Sequence, residues 1–241
     1  MSFLTRRPEE LDRAGYSVYE DDAPSVNLIL DTVPELRGSE HAYKKQLEKL
    51  REGQGNIPLI HISTTSVYGK QDEEAGEPWP AVRESSPPAP DSDSARRRLE
   101  LEMNLQRWWP EVWIIRSSGI YGRRRALPLQ IKSGNLRRLS SGNRITSRIH
   151  VVDLLRLALR FWTQKEIKLL NAVDRQPSAN KETFTFLEEL LDIRLPGDWR
   201  TASLKGRMVQ SLYLDRIMDS FAFPTFQEGF RDAMAAHTIE G

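Results

Sequence analysis

The sequence predicts an α/β protein built on a parallel sheet with crossover helices, and three observations carry that expectation. Short apolar runs alternate with amphipathic segments along the chain. The runs themselves, such as VNLIL at 26–30 and VWII at 112–115, are apolar at consecutive positions, as strands covered on both faces are. The chain has 241 residues, 39% of them hydrophobic, so a sizeable core can be buried.

Taken in order, Ser2–Thr5 and Ser17–Tyr19 are the weaker strand candidates, separated by a short helix at Glu9–Ala14. Val26–Leu30, Ile57–Ile62 and Val112–Ile115 are the buried strands. A helix follows Ser39, with Tyr43, Leu47 and Leu50 on one face that meets either the core or a second copy. Pro78, Pro80, Pro87, Pro88 and Pro90 then mark a loop. The next helix starts after Asp93, with Leu99, Met103 and Gln106 on one face and Trp108–Trp109 near its end. Asp153–Trp162 reads as a helix opened by an Asp cap. Phe184–Leu191 is a further helix, followed by a stop at Pro196–Gly197, and Phe221–Phe230 reads as an aromatic-rich strand and turn.

Composition removes several function classes. There are no cysteines, which excludes disulfides, thiolate metal sites and cysteine nucleophiles. No apolar run approaches the roughly 18 residues that span a membrane, and MSFLTRRPEE lacks the apolar stretch of a signal peptide. A soluble cytoplasmic protein is expected. The formal net charge of +1 hides segregation. From Val112 to Val152 there is no acid but nine cations: Arg116, Arg123, Arg124, Arg125, Lys132, Arg137, Arg138, Arg144 and Arg148. That leaves −8 on the rest of the chain, since +1 minus +9 is −8, and residues 71–102 alone carry nine acids. Such a block is either an anion site, because Arg forks match phosphate, or a basic loop that pairs with the acidic segment on folding.

Four stretches carry candidate chemistry. His61-Ile-Ser-Thr-Thr-Ser-Val-Tyr-Gly69 runs a strand into small hydroxyl residues, at the end of a parallel strand where ligands bind. The same hydroxyls could instead satisfy a local turn. Arg116-Ser-Ser-Gly-Ile-Tyr-Gly122 follows another strand, Arg148-Ile-His-Val-Val-Asp153 enters a helix, and Phe221-Ala-Phe-Pro-Thr-Phe-Gln-Glu-Gly-Phe230 lies near the C-terminus. In this order, with NAVDRQP at 171–177, they resemble the extended short-chain dehydrogenase/reductase superfamily, specifically its NAD-dependent epimerase/dehydratase group and the nucleotide-sugar-epimerase-like branch. HISTTSVYG is similar to that family's SxxxVYG, RSSGIYGRRR to RxxxIYGPGR, RIHVVDLL to RIHVDDL, and FPTFQEGF to YPTYxEGL. The resemblance covers residues 2–232.

The resemblance implies an abbreviated Rossmann-type doubly wound parallel sheet over residues 1–165, with a small C-terminal α/β cap over 166–241. It implies NAD or NADP as cofactor, a nucleotide-sugar or other phosphate-bearing small molecule as substrate, and a homodimer. Thr64 would polarise the substrate and Arg98 would hold the ribose, while Ser94 stands at the family's tyrosine position. Arg6 and Arg7 would meet the adenosine phosphate, with Val33 and Ser63 also at the cofactor. Ser117, Gly119, Arg123, Arg144 and Arg148 would hold the substrate.

Two departures bear on activity. The family's acid/base tyrosine, normally titrating at about 10, is activated by a lysine four residues on. Here Ser94 and Arg98 stand at those positions, and an arginine does not surrender its proton. The Gly-rich turn that admits a dinucleotide pyrophosphate is absent, and three residues between Asp22 and Val26 are too few for a parallel crossover. The expected result is direct closure of the sheet or disorder near the N-terminus. Beside the enzyme reading stand a non-catalytic relic that binds a nucleotide or a partner, and, least favoured, a nucleic-acid binder using the 112–152 cations.

Overall fold

The structure is a computed structural model that describes residues 2–3, 17–18, 27–32, 40–70, 74–123, 125–135 and 142–240. Two short strands, β1 (Ser2–Phe3) and β2 (Ser17–Val18), pair parallel with each other. Next come β3 (Ile29–Asp31), α1 (Glu40–Gln54) and β4 (Leu59–Thr64), then a 3-10 turn over Thr65–Tyr68. Beyond β5 (Ala81–Val82) lie α2 (Asp93–Trp108), β6 (Val112–Ser117), β7 (Gly119–Tyr121) and α3 (Leu127–Lys132). After β8 (Asn143–Thr146) and β9 (Arg148–His150) come α4 (Val151–Phe161), β10 (Leu169–Ala172), β11 (Ser178–Ala179) and α5 (Asn180–Leu191). The chain ends with β12 (Leu204–Lys205), β13 (Met208–Val209), α6 (Leu214–Ile217) and α7 (Phe226–Glu240).

The central sheet is parallel, in the order β10-β6-β4-β3. All six residues of β6 are buried, as its consecutive apolar run predicts. On one face Tyr43, Leu47 and Leu50 of α1 and Leu101 and Leu105 of α2 pack against Leu59 and Ile114. On the other, Leu154, Leu157, Ala158 and Phe161 of α4 pack against Ile60, Trp113 and Ile115. Helices thus cover both faces, the doubly wound arrangement of an abbreviated Rossmann-type domain. His61 and Asp31 stand opposite each other in register, and the buried imidazole Nδ1 lies 2.6 Å from the Asp31 carboxylate. A smaller mixed sheet, β11-β8-β12, carries α5.

Several expectations are corrected here. Among the described residues β3 pairs with β4, and β1 pairs only with β2. The α2 face that meets the core is Ala95, Leu101, Glu102 and Leu105, whereas Met103 of the expected stripe is 46% exposed. His150, not Asp153, caps α4: its imidazole Nδ1 accepts from the Val152 N–H. The Glu9–Ala14 helix lies outside the described residues.

The motif glycines and aromatics of three separate stretches form one packed knot. Asp153, fully buried, accepts from the Ala222 and Phe223 N–H groups, each at 2.8 Å, and so ties the FPTF turn to α4. The His150 and Phe223 rings lie 3.9 Å apart, and Tyr121 meets His150 and Phe230 edge-on. Gly229 makes room for Tyr121: a Cβ there would sit 2.4 Å from Tyr121 Cε2 and 2.5 Å from its hydroxyl. An alanine in a helix ordinarily stabilises relative to glycine by up to about 1 kcal/mol. Here the sign reverses, because the ring is held on two edges and its hydroxyl donates to Thr225 O. Gly229→Ala is expected to cost about 1–3 kcal/mol in urea unfolding, the usual range for overpacking. Pairing it with Tyr121→Leu should recover part of that loss, and a strictly additive double variant would show that the two positions do not meet.

Candidate functional site

The C-terminal ends of β4 and β6 open into a cleft of about 320 Å³. Its floor comes from hydroxyl residues at the ends of those strands, Thr64, Ser117 and Ser118, and from the turn residues Thr65 and Ser66. Thr146 and Ser147 face them from the end of β8. Thr64 Oγ1 accepts from the Ser66 N–H and caps the 3-10 turn, which leaves its O–H to donate. Ser118 Oγ is buried without a protein partner at this wall. Three cations, Lys70, Arg144 and Arg207, line the cleft, and among the described residues none of its lining is acidic. A hydroxyl-rich, cationic cleft at a sheet's C-terminal edge can bind a phosphate or a polyhydroxylated anion.

Arg207 is held on two sides. Its guanidinium donates to the Gly69 carbonyl and lies 5.7 Å from the Tyr68 ring centroid. Its Nε is buried with no protein partner. Burial lowers its pKa, while Tyr68 and Asp91 act to raise it. Gly69 is itself a close approach: at φ 74° a Cβ there would lie 2.3 Å from Ala89 O, where the Pro-rich loop crosses. That loop is pinned by Ala89 N–H on Val67 O and by Lys70 N–H on Asp91 Oδ2.

A second cleft of about 200 Å³ adjoins the first, sharing Gly119 and Thr146. Tyr121, Leu127, Phe184 and Phe230 give it aromatic and apolar walls, and Arg125, Gln130, Arg148 and Asn180 supply the polar groups. Gln130 Oε1 is buried there without a protein partner. Arg148 is buried and donates to Ser178 Oγ at 2.8 Å and Thr183 Oγ1 at 3.1 Å. Burial pushes its pKa down to about 10 although Asp174 lies near.

The structure sorts the expected site residues. Thr64, Ser117, Gly119 and Arg144 come together in the larger cleft, and Arg148 and Gly119 line the smaller. Arg123 lines neither; it makes a two-bond pair with Asp232 at 2.9 and 3.0 Å. Ser63 is buried and donates to Glu102, so its hydroxyl is committed inside the protein rather than to a cofactor. Ser94 is exposed in the first turn of α2 and Arg98 is half-buried one turn on, and neither lines a cleft. Arg6, Arg7 and Val33 lie outside the described residues, as do Arg124, Arg137 and Arg138. Lys70 and Arg207 were not expected. They stand outside the basic block, and Arg207 reaches Gly69 across 138 residues of sequence, a separation that leaves no local signal.

The face of α2 that carries Ser94 and Arg98 continues, at i+4 spacing, to Glu102. Glu102 is buried and pairs with Arg116 at 2.8 Å, with two further contacts at 3.2 Å. Arg116 stacks over Tyr68 at 4.9 Å, and the Tyr68 hydroxyl donates to Asn171 at 2.8 Å. Burial alone would depress the Arg116 guanidinium, but Glu102 and Tyr68 beside it hold it above its ordinary value. The Tyr68 hydroxyl is therefore engaged. Burial, with Asp174 close by, pushes the Tyr121 phenol well above its ordinary value. The Tyr121 phenol is thus not set up as an acid/base at neutral pH.

Among the described residues no Gly-rich turn joins a central strand to a helix N-terminus, the feature that seats a dinucleotide pyrophosphate. Of the four expected cofactor residues only Ser63 is described, and its hydroxyl is turned onto Glu102. Nor is any helix among them long and apolar enough to cross a membrane.

No protein-family model matches the sequence, and no curated protein matches it. Solved structures do share its fold. A conserved protein of unknown function from Silicibacter pomeroyi aligns with a TM-score of 0.69 at 19% identity, over 98% of this chain and 89% of that one. The dTDP-glucose 4,6-dehydratase of Bacillus anthracis, solved with NAD, aligns with 0.67 at 17% identity, over 89% and 73%. The UDP-N-acetylglucosamine 4-epimerase of Methanobrevibacter ruminantium, solved with UDP-N-acetylmuramic acid, aligns with 0.67 at 17% identity, over 94% and 84%. The chain shares the fold of these proteins.

Proposed function

We propose that this protein binds a nucleotide-sugar across the two adjoining clefts and does not carry out the tyrosine-dependent hydride chemistry of the enzymes whose fold it shares. The observation that supports the reading is the larger cleft, where Lys70, Arg144 and Arg207 line the same space as hydroxyls at the ends of β4 and β6, with no acid in its lining among the described residues. The smaller cleft suits a planar base against Tyr121, Phe184 and Phe230, with Gln130 to hydrogen-bond its edge. Arg144, next to the shared residue Thr146, would meet the diphosphate between them. Thr64 would donate to a sugar oxygen. Catalysis by the family route lacks support: Ser94 and Arg98 line neither cleft, and the hydroxyls of Tyr68 and Tyr121 are bonded to Asn171 and Thr225.

Titration calorimetry on the full chain tests this. UDP-glucose is expected to bind in the micromolar range, and Arg144→Ala to weaken it about tenfold or more, the loss of one charge-assisted contact. NAD and NADP are expected not to bind at 1 mM-scale concentrations, roughly the weak end of measurable affinity. Micromolar NAD binding with turnover of any nucleotide-sugar would overturn the reading.

A further inference from the structure

α4 is apolar over more of its circumference than the sheet uses. Leu154, Leu157, Ala158 and Phe161 are buried against the sheet. Val151, Val152, Leu155 and Leu159, on the neighbouring arc, are 47%, 43%, 42% and 48% exposed. Val151, Leu155 and Leu159 are spaced i, i+4, i+8 and so form one ridge along the helix. Leu30 of β3 is also 41% exposed. It alternates with Ile29, which packs on the opposite side, so it stands on the α4 face of the sheet. These five side chains present roughly 400 Å² of surface, the size at which an exposed apolar patch marks an interaction site.

We infer that this ridge is the contact between two copies of the chain, related by a two-fold axis beside Leu155. Leu155 is central, with Val151 one turn before it and Leu159 one turn after. An axis there sets Leu155 against its own copy and Val151 against Leu159, so the contact is apolar from both sides. Two i±4 ridges that interdigitate in this way give the commonest helix-pair geometry, with axes about 8–10 Å apart. The charge beside the ridge does not oppose it. Arg156 is paired with buried Asp153 at 3.1 Å, and Arg160 lies about 100° round the helix from Leu159. A standard interface takes about 800 Å² from each partner, a little over half of it non-polar. The ridge with Leu30 comes close to that apolar share. α4 is also held in place before contact, because Asp153 ties it to the Ala222 and Phe223 N–H groups, so little ordering opposes association. The other layer offers no such surface. Tyr43, Leu47 and Leu50 of α1 are spent on the core, and the outer side of α2 exposes Asp93, Arg96, Glu100 and Arg107 beside Met103.

Sedimentation equilibrium on the full chain, up to about 200 µM, reads this contact, since that range populates a micromolar dimer. Wild type is expected to dimerise with a Kd in the micromolar range. Leu155→Glu should weaken the dimer about 100-fold or more, because two carboxylates would meet at the axis. Met103→Glu, on the opposite layer, should dimerise as wild type does. Each variant is checked for wild-type melting. The chain has no cysteine, so Leu155→Cys gives a second reading that buries no charge. Mild oxidation should join two chains of that variant much faster than two chains of Met103→Cys, and this comparison decides if Leu155→Glu does not fold. A wild type that stays monomeric throughout the range would overturn the inference. A dimer that survives Leu155→Glu or is lost in Met103→Glu would overturn it too, by placing the contact on another face, as would equal oxidation rates of the two cysteine variants.

Discussion

Replacing Glu102 with alanine is expected to cost about 3–5 kcal/mol of stability, the range for breaking a buried ion pair from one side. Glu102 and Arg116 are 3% and 5% exposed, so water cannot take over as partner for the stranded guanidinium. The loss compounds, because Ser63 would lose the acceptor for its hydroxyl, and Arg116 would lose its carboxylate and keep its contact with Tyr68. Removing both charges together tests whether the pair stabilises the fold or merely tolerates burial. Glu102→Leu with Arg116→Met leaves no unpaired charge, and paired replacements of this kind are commonly neutral or stabilising. Urea unfolding should therefore rank the double variant above Glu102→Ala. A Glu102→Ala cost below about 1 kcal/mol would mean that the pair is effectively solvated, as surface ion pairs are.

That ion pair also shows what a sequence can and cannot disclose. The HISTTSVYG stretch marks the end of a buried strand, and Thr64 does reach the cleft. Ser63, its neighbour, points to the opposite face because side chains alternate along a strand. There it meets Glu102 rather than a cofactor. The helix carrying Glu102 was legible, but its core-facing side was not. Leu99 and Met103 are spaced i,i+4, and so are Leu101 and Leu105, and periodicity alone gives no reason to prefer one pair. The sheet chooses the second, because Leu101 and Leu105 pack with Leu59, Val112 and Ile114.

The basic block divides in a similar way. Arg116 pairs with Glu102, from the acidic segment just upstream, and Arg123 pairs with Asp232 near the other end of the chain. Arg116 thus pairs with the acidic segment as the simple reading has it, whereas Arg123 finds its acid outside that segment. Arg144 and Arg148 go to the clefts, as an anion site requires. Nothing local separates the two groups; they differ in which tertiary neighbour each strand end meets. The motifs IYG, RIHVVD and FPTFQEG are conspicuous in the sequence, yet much of what they do is hold Tyr121, His150, Asp153 and Gly229 in one packed knot.

Within that knot, Asp174 is expected to make stability fall as the pH rises from about 4 to about 7. Burial pushes its carboxyl up to about 7 from an ordinary 3.8, and the Asp153 charge acts the same way. The Gln176 N–H at 3.1 Å and the Arg148 charge act in the opposite sense without overcoming burial. Between those two values the folded chain keeps a proton that the unfolded chain has released, so folding is favoured at the acid end and loses ground as the pH rises. The slope is bounded at about 1.4 kcal/mol per pH unit for one group. Asp174→Asn mimics the protonated acid, and its Oδ1 can still accept from the Gln176 N–H. Urea unfolding of both proteins at pH 4.5, 6 and 8 isolates this group, because carboxylates held low, such as Asp232 beside Arg123, titrate alike in each. The variant should match wild type at pH 4.5 and exceed it by a few kcal/mol at pH 8, an order-of-magnitude figure. A difference that stays constant across the three pH values would mean that Asp174 is ionised throughout. Arg148 would then be its full counter-ion inside the smaller cleft, and the asparagine variant would be the less stable protein at every pH.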